Sequence, residues 1–292
     1  TIGDYVFYEC SGLTSASLAD SVVNIGRNLF YDCINLKDIR LPSNIKTLAD
    51  RMFYGCYQIT EFVVPSTVTT IDYWALGGCL YMTKVVIPST VINISKEIFY
   101  NSYDVVIYCE VASKPSGWEN EWDLEFGYNE TNKRFRPVVW DYKNNEVAND
   151  GKIYATVDNL RYSLYDGEAV IEKQNRTMTG SVVIPNSVTY KGNTYSVSSM
   201  TTGAFGNCNY ITALTIQEGI TVISENAFQN CTKLAQVNLP KSLTKMEKYA
   251  FDKITEKVTF NYAGTKSEWK LVSKGSNWYP KSYTVVCTDG TV

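Results

Sequence analysis

Apolar positions recur along this chain every 23 residues, far beyond the period of a helix or a strand, which marks stacked repeat units. Cys10, Cys33, Cys56 and Cys79 carry the first run, and Cys208 and Cys231 a second. Three residues after each cysteine stands Leu13, Leu36, Ile59, Met82, Ile211 or Leu234. Six after stands Ala16, Ile39, Phe62, Val85, Leu214 or Val237. Eight after stands Leu18, Leu41, Val64, Ile87, Ile216 or Leu239, and Pro42, Pro65, Pro88 and Pro240 follow four of these. Twelve after comes Val22, Ile45, Val68, Val91, Ile220 or Leu243; fifteen after comes Ile25, Leu48, Ile71, Ile94, Ile223 or Met246. Twenty after comes Phe30, Phe53, Leu76, Phe99, Phe228 or Phe251.

Alternation at Ile39-Arg40-Leu41 predicts a short strand with its apolar side inward. The proline then ends that strand where a missing N–H is tolerated. A turn and a short extended or helical piece return the chain, anchored inward at the twelve, fifteen and twenty positions. One such coil cannot bury its own apolar face, so stacked coils bury each other's. Strands are expected near 16–18, 39–41, 62–64, 85–87 and 105–107, then near 182–184, 214–216, 237–239 and 258–260.

Roughly 75 residues without the repeat separate the two runs. Val105-Val-Ile-Tyr-Cys109, Lys114-Pro-Ser-Gly-Trp118, Trp122 and Pro137-Val-Val-Trp140 match the chain end loosely. There stand Val258-Thr-Phe-Asn-Tyr262, Lys266-Ser-Glu-Trp269, Trp278 and Tyr283-Thr-Val-Val-Cys287. Each run is therefore expected to close with a strand–short helix–strand cap carrying tryptophans, since an uncapped last coil exposes an apolar face. Residues 151–157, 160–165 and 168–172 alternate as strands, with a hairpin turn at Asp166-Gly167 and a second hairpin tipped by Gly192-Asn193. The expected organisation is two related blocks. Residues 1–142 form the first, truncated at its start, with a cap from about 105; residues 143–292 form the second, with N-terminal hairpins and a cap from about 258.

The unit C-x-x-L-x-x-I-x-L-P-x-x-[VIL]-x-x-I-x-x-x-A-F-x-x-C resembles the BspA-like leucine-rich-repeat family. The segments 186–195, 276–278 and 287–290 are similar to that family as well. Ser102 replaces a ladder cysteine, Gln217 the proline and Leu76 the phenylalanine. The resemblance implies a leucine-rich-repeat solenoid, predominantly β with short helical or irregular returns. It also implies a secreted or cell-surface bacterial protein, associated with adhesion to host or matrix proteins or to other cells, without catalytic residues.

Composition narrows the chemistry. Histidine is absent, which removes His-activated nucleophiles and His-based zinc sites. A net charge of -3 argues against a nucleic-acid partner, which needs a basic stripe. No stretch approaches the roughly 18 apolar residues of a membrane span. No signal-peptide pattern opens the chain, and Thr1 falls partway through a repeat, as expected of a mature fragment. The eight cysteines contain no C-x-x-C pair and read as buried thiols packed as small hydrophobes. The stretch Trp118-Glu-Asn-Glu-Trp-Asp-Leu-Glu-Phe126 lacks the spacing of a carboxylate pair or a calcium loop and reads as a cap with tryptophans turned inward. Asn93, Asn129, Asn175 and Asn230 begin glycosylation triplets, two of them inside coils and mostly incidental. No cofactor or metal site is expected.

The strand face is the surface expected to bind, on the concave side of the solenoid. Its outward positions are Ser15/Ser17, Asp38/Arg40, Glu61/Val63 and Lys84/Val86 in the first block, and Ala213/Thr215 and Gln236/Asn238 in the second. The partner expected is a host or matrix protein, with a cell-surface glycan as the alternative and a passive spacer role as a third reading. Tyr57, Tyr81 and Tyr210 flank the cysteines and are expected to be exposed, adding stacking area. Charge is mildly asymmetric: residues 1–142 carry 11 basic and 17 acidic groups, residues 143–292 carry 16 and 13.

Overall fold

The computed structural model describes residues 1–125 and 134–292. Its chain divides into two compact units, Thr1–Gly151 and Lys152–Val292. Residues 143–151, expected with the second block, lie in the first unit. There the Asn149 amide donates to the Val138 carbonyl at 3.0 Å, and the Asn149 side chain accepts from the Val138 N–H at 3.1 Å.

In the first unit Ser15–Ser17 pairs in parallel with Asp38–Arg40, placing Ala16 beside Ile39. Glu61–Val63, Lys84–Ile87, Val106–Cys109 and Val138–Trp140 form a second parallel sheet in that order. The return of each coil is a short strand, not a helix. Thr47–Leu48, Thr70–Ile71 and Asn93–Ile94 stack in parallel as a separate ladder. β-Branched and aliphatic residues at these positions favour the extended form.

The turn between the two ladders carries two left-handed residues per coil, the same two each time. Asn28, Arg51, Trp74 and Glu97 occupy one at φ 51–56°, and Asp32, Gly55, Gly78 and Asn101 the other at φ 52–75°. Asp, Asn and Gly tolerate this conformation best. At Gly55 a Cβ would also meet the Asp32 carboxylate at 1.8 Å, so a side chain there would have to displace that carboxylate. The phenylalanines lie just inside this turn. Phe30 and Phe53 stack at 5.6 Å and 8°, and Phe205, Phe228 and Phe251 at 5.1 Å, all fully buried.

The second unit opens with a sheet ordered Ile153–Val157, Leu160–Tyr165, Glu168–Ile171, Asn193–Met200, Ser187–Tyr190. Asp166 and Gly167 are both left-handed, as a two-residue hairpin turn needs. The other hairpin turns at Lys191-Gly192, not at Gly192-Asn193: those two residues carry the positive φ, and Asn193 already pairs with Tyr190. The coils then build one sheet: Thr179–Ile184, Tyr210–Ile216, Gln236–Leu239, Lys257–Tyr262 and Ser282–Cys287 in parallel, edged by the antiparallel Gly290–Thr291. Leu214, Val237, Phe260 and Val285 align across it as its buried row.

The two caps differ. In the second unit a helix, Lys266–Leu271, follows Lys257–Tyr262, started by Thr265 and Glu268 in a reciprocal capping box. It buries Trp269 against Tyr262 and Trp278. The first cap has no helix among the described residues, contrary to expectation. Ser113-Lys-Pro-Ser-Gly117 stands where the capping box would begin, and it offers Ser116 in place of the glutamate, followed at once by Gly117. Without the box and with glycine in the first turn, helix nucleation is not supported. Trp118 bridges to Ile94 instead, and Trp118 and Trp122 are buried edge to face at 4.7 Å.

Candidate functional site on the strand faces

The outward strand positions stack into columns because each strand repeats in register. In the first unit Ser15 and Ser17 lie beside Asp38 and Arg40. Glu61 and Val63 lie beside Lys84 and Val86, which continue to Val106 and Tyr108. No paired register joins Asp38–Arg40 to Glu61–Val63 among the described residues, so the outward positions of the first block are divided between two sheets. Arg40 turns back: its guanidinium donates to the Leu18 carbonyl at 3.0 Å and pairs with Asp20 at 2.7 Å. The Ser43 amide, together with Arg40, holds the Asp20 carboxyl below its usual range. Val63 lies open, 68% exposed. Lys84 and Val86 are half-buried, and the Lys84 ammonium sits over the Tyr108 ring at 5.4 Å.

In the second unit the columns are longer. One runs Ser181, Ala213, Gln236, Thr259, Thr284; its neighbour runs Val183, Thr215, Asn238, Asn261, Val286. The Asn261 amide donates to Asn238 Oδ1 at 2.9 Å, and Asn238 Nδ2 donates to the Thr215 hydroxyl at 2.9 Å. Gln236 Nε2 also approaches Asn238 Oδ1, at 3.4 Å. No outward position in either column is ionisable. Thr215, Gln236 and Asn238 were expected here from sequence. Asn261 and Thr259 were not, although each stands 23 residues after its partner. Ile254 replaces the marker cysteine of their coil, and that hid them. A groove of about 530 Å³ lies against this face, lined by Asn186, Gln217, Glu218, Asn238, Asn261 and Tyr262 among others.

The tyrosines fall elsewhere than expected. Tyr57 and Tyr81 are half-buried against each other at 6.4 Å, and only Tyr210, 52% exposed, lies open, with Lys233 above its ring. A stacked row runs along the first unit: Tyr8 to Tyr31 at 5.0 Å, Tyr31 to Tyr54 at 4.8 Å, Tyr54 to Trp74 at 5.6 Å and Trp74 to Tyr100 at 4.2 Å. Its sequence signal is the Phe-Tyr pair at 7–8, 30–31, 53–54 and 99–100. Gly77 breaks the pair, a Cβ there meeting the Tyr54 ring at 2.9 Å, and Trp74 fills the row. The faces of the inner rings cover each other, so the row is chiefly packing.

The cysteines form a hydrogen-bonded ladder. Four thiols donate to the carbonyl 26 residues earlier: Cys33 to Phe7, Cys56 to Phe30, Cys79 to Phe53 and Cys231 to Phe205, at 2.9–3.3 Å, while Cys208 reaches the Asn175 carbonyl at 3.8 Å. Ser102 makes the same bond to Leu76 at 2.9 Å, which explains why serine fits a cysteine position. All eight cysteines are free, and all but the half-buried Cys10 are buried. Burial pushes the Cys33 thiol up to about 11 and those of Cys79 and Cys208 to about 12. A thiol reagent at pH 8 should therefore label Cys10 first in the folded protein and all eight cysteines after denaturation; fast labelling of Cys56 or Cys79 would contradict the ladder. A raised thiol pKa also means that the folded state holds these protons more tightly than the unfolded one. Their contribution is full below about pH 8.5, the unfolded thiol value, and falls as pH rises toward the folded values.

Other chemistry is thin. Among the described residues no group of three His, Cys, Asp or Glu side chains could hold a metal ion. No helix is long and apolar enough to cross a membrane among those residues. Phe126 and the triplet at Asn129 lie outside the described residues. Asn230 donates to Asn207 at 2.8 Å, an internal tie between coils.

No curated protein matches the chain. Among solved structures, it is similar to a leucine-rich cell surface protein from Faecalibacterium prausnitzii, with 22% identity, 93% of this chain and 85% of that one covered, and a TM-score of 0.33. A leucine-rich repeat protein from Bacteroides ovatus gives 15% identity, coverage of 91% and 58%, and a TM-score of 0.30. The pneumococcal vaccine antigen PcpA gives 13%, coverage of 95% and 57%, and a TM-score of 0.35. This chain spans little more than half the length of the latter two. The BspA type leucine rich repeat region matches in six copies over residues 1–106 and 180–269. Those segments are the parallel coils with their thiol, phenylalanine and strand ladders, they make up more than half of the chain, and by them the protein belongs to the BspA-type leucine-rich repeat family.

Proposed function

We propose that this protein is a non-enzymatic, extracellular or cell-surface repeat protein that binds a macromolecular partner through its strand faces, in adhesion to host, matrix or other cells. The observation that carries the reading is the set of outward columns. The inward positions Phe62, Val85, Leu214 and Val237 are buried in the core, whereas outward neighbours such as Glu61, Val63 and Gln236 alternate with them and are exposed. Family membership supports a surface-interaction role of this general kind. A protein partner fits the first unit best, where Asp38, Arg40, Glu61 and Lys84 offer charges of both signs, which favour specific orientation and fast encounter.

Replacing those four residues together with alanine should weaken capture of proteins from a matrix or host-cell extract by roughly tenfold or more. The melting temperature should move little, because the Arg40–Asp20 pair is 56% and 50% exposed and solvent-screened pairs contribute little to stability. Capture unchanged by the quadruple variant would rule out this face. The uncharged columns of the second unit favour the glycan reading for that unit.

A further inference from the structure

We infer that the strand face of the second unit, with the groove beside it, binds a neutral carbohydrate; this rests on reading the strand faces as binding surfaces. The first argument is charge. Both outward columns are free of ionisable groups across five successive strands. A charged ligand would lose hydration there and meet no countercharge, which is costly. Two ionic groups at the groove, Glu218 and Lys241, are already engaged. The Glu218 carboxylate accepts from the Lys241 and Ser242 amides at 2.7 and 2.9 Å. Burial pushes its pKa up, but those amides outweigh it, so the group stays below its usual range and ionised. It gives the groove one negative charge, which repels acidic sugars. The Lys241 ammonium pairs with Glu268 at 3.0 Å and is not free to attract them.

The second argument is hydrogen-bond capacity. A carboxamide has two donors and two acceptor sites, the mixture that sugar hydroxyls require. The Thr215–Asn238–Asn261 chain consumes one donor of each amide and one acceptor site of Asn238. The second N–H of each amide and the whole of Asn261 Oδ1 remain. The chain fixes both amides in one orientation, so little rotamer freedom is lost when a ligand arrives. Gln217 is held likewise, its Oε1 accepting from the Asn186 N–H at 3.1 Å. The groove volume of about 530 Å³ is that of a small-ligand site.

The third argument is against a protein partner here. Tight protein interfaces centre on Trp, Tyr or Arg anchors, and neither column has one. A face of amides, hydroxyls and small side chains is better matched to a hydroxyl-rich chain running along the columns.

The test uses the intact chain and immobilised mannan, dextran, galactan and an N-acetylglucosamine polymer, with heparin and polygalacturonate as anionic counterparts. The expected result is retention on at least one neutral polymer and on neither anion. That binding should change little when salt rises from about 0.1 to 1 M, because no ion pair is formed. Asn238→Ala with Asn261→Ala should weaken it by about tenfold or more, the loss of two hydrogen bonds. Asn261→Asp, nearly the same size, should weaken it too and guards against a folding defect. Failure to bind any of the four neutral polymers, preference for heparin, or binding that both variants leave unchanged would overturn the inference. Protein capture by the first unit is read separately with its quadruple variant, so the inference can fail while the wider reading stands.

Discussion

Phe53→Ala should destabilise the first unit by about 3–5 kcal/mol, the range for deleting a fully buried aromatic side chain and leaving a cavity. Phe53 has no exposed surface, stacks on Phe30 at 5.6 Å and meets Phe62 at 5.3 Å. The backbone around it gives no room to collapse. Its N–H donates to the Ala75 carbonyl, and its own carbonyl accepts from the Cys56 N–H and the Cys79 thiol. The coil is thus tied to the next one while its largest side chain is gone. Because coil stability comes from nearest neighbours, the loss should spread to the coils on either side. For a unit of this size the melting temperature should fall on the order of 10 °C. Phe53→Leu should cost far less, about 1–2 kcal/mol, because the next coil already uses leucine at this position, as Leu76. A Phe53→Ala melt equal to wild type would overturn the ladder. So would a leucine variant as damaged as the alanine one.

That ladder was legible in the sequence because each coil must bury the same side against its neighbour. The burden repeats with the chain, so Ala16 meets Ile39 and Leu214 meets Val237 at the spacing the cysteines set. What repeats is visible; what ends or interrupts the repeat is not. The donor role of the thiols needed the structure, since a buried cysteine reads as a small hydrophobe until Ser102 is seen making the same bond. The split between Arg40 and Glu61 leaves no mark in the apolar pattern, because both residues point outward whether or not their strands pair. The amides of the second face were half legible: Asn238 sits in a marked coil, and Asn261 in one whose marker is lost. The absent first-cap helix was readable in principle, since one glutamate and one glycine separate the two caps at that point.

The alternation rule fails outright at Phe135-Arg136, and the failure carries the second large prediction. An apolar-inward pattern would bury Phe135 and expose Arg136, yet Phe135 is 55% exposed and Arg136 only 1%. The reason lies in what the last coil lacks. In every earlier coil, a side chain from the next coil donates to the carbonyl of the ladder phenylalanine or of its leucine substitute. Phe99 has no following ladder cysteine. Arg136 Nη2 supplies that bond at 2.8 Å, and its Nε and Nη2 both reach the Ser102 carbonyl, at 3.0 and 2.8 Å. Nη1 donates to the carbonyls of Asp123 and Leu124, and the guanidinium lies 5.4 Å from the Phe99 ring centre. One planar fork with five N–H donors thus closes the open end of the array. Arg136→Met keeps the packing volume and removes every donor, leaving the Ser102 carbonyl stranded in the interior. The expected loss is about 3 kcal/mol or more, from an orphaned acceptor and several charge-assisted bonds. Arg136→Lys should fall between wild type and methionine, because a single ammonium cannot reach all these carbonyls at once. Urea unfolding of the two variants decides the matter: equal stability of the methionine variant and wild type would mean that the arginine is filler. A lysine variant as stable as wild type would mean that the charge, not the fork, is what the site holds.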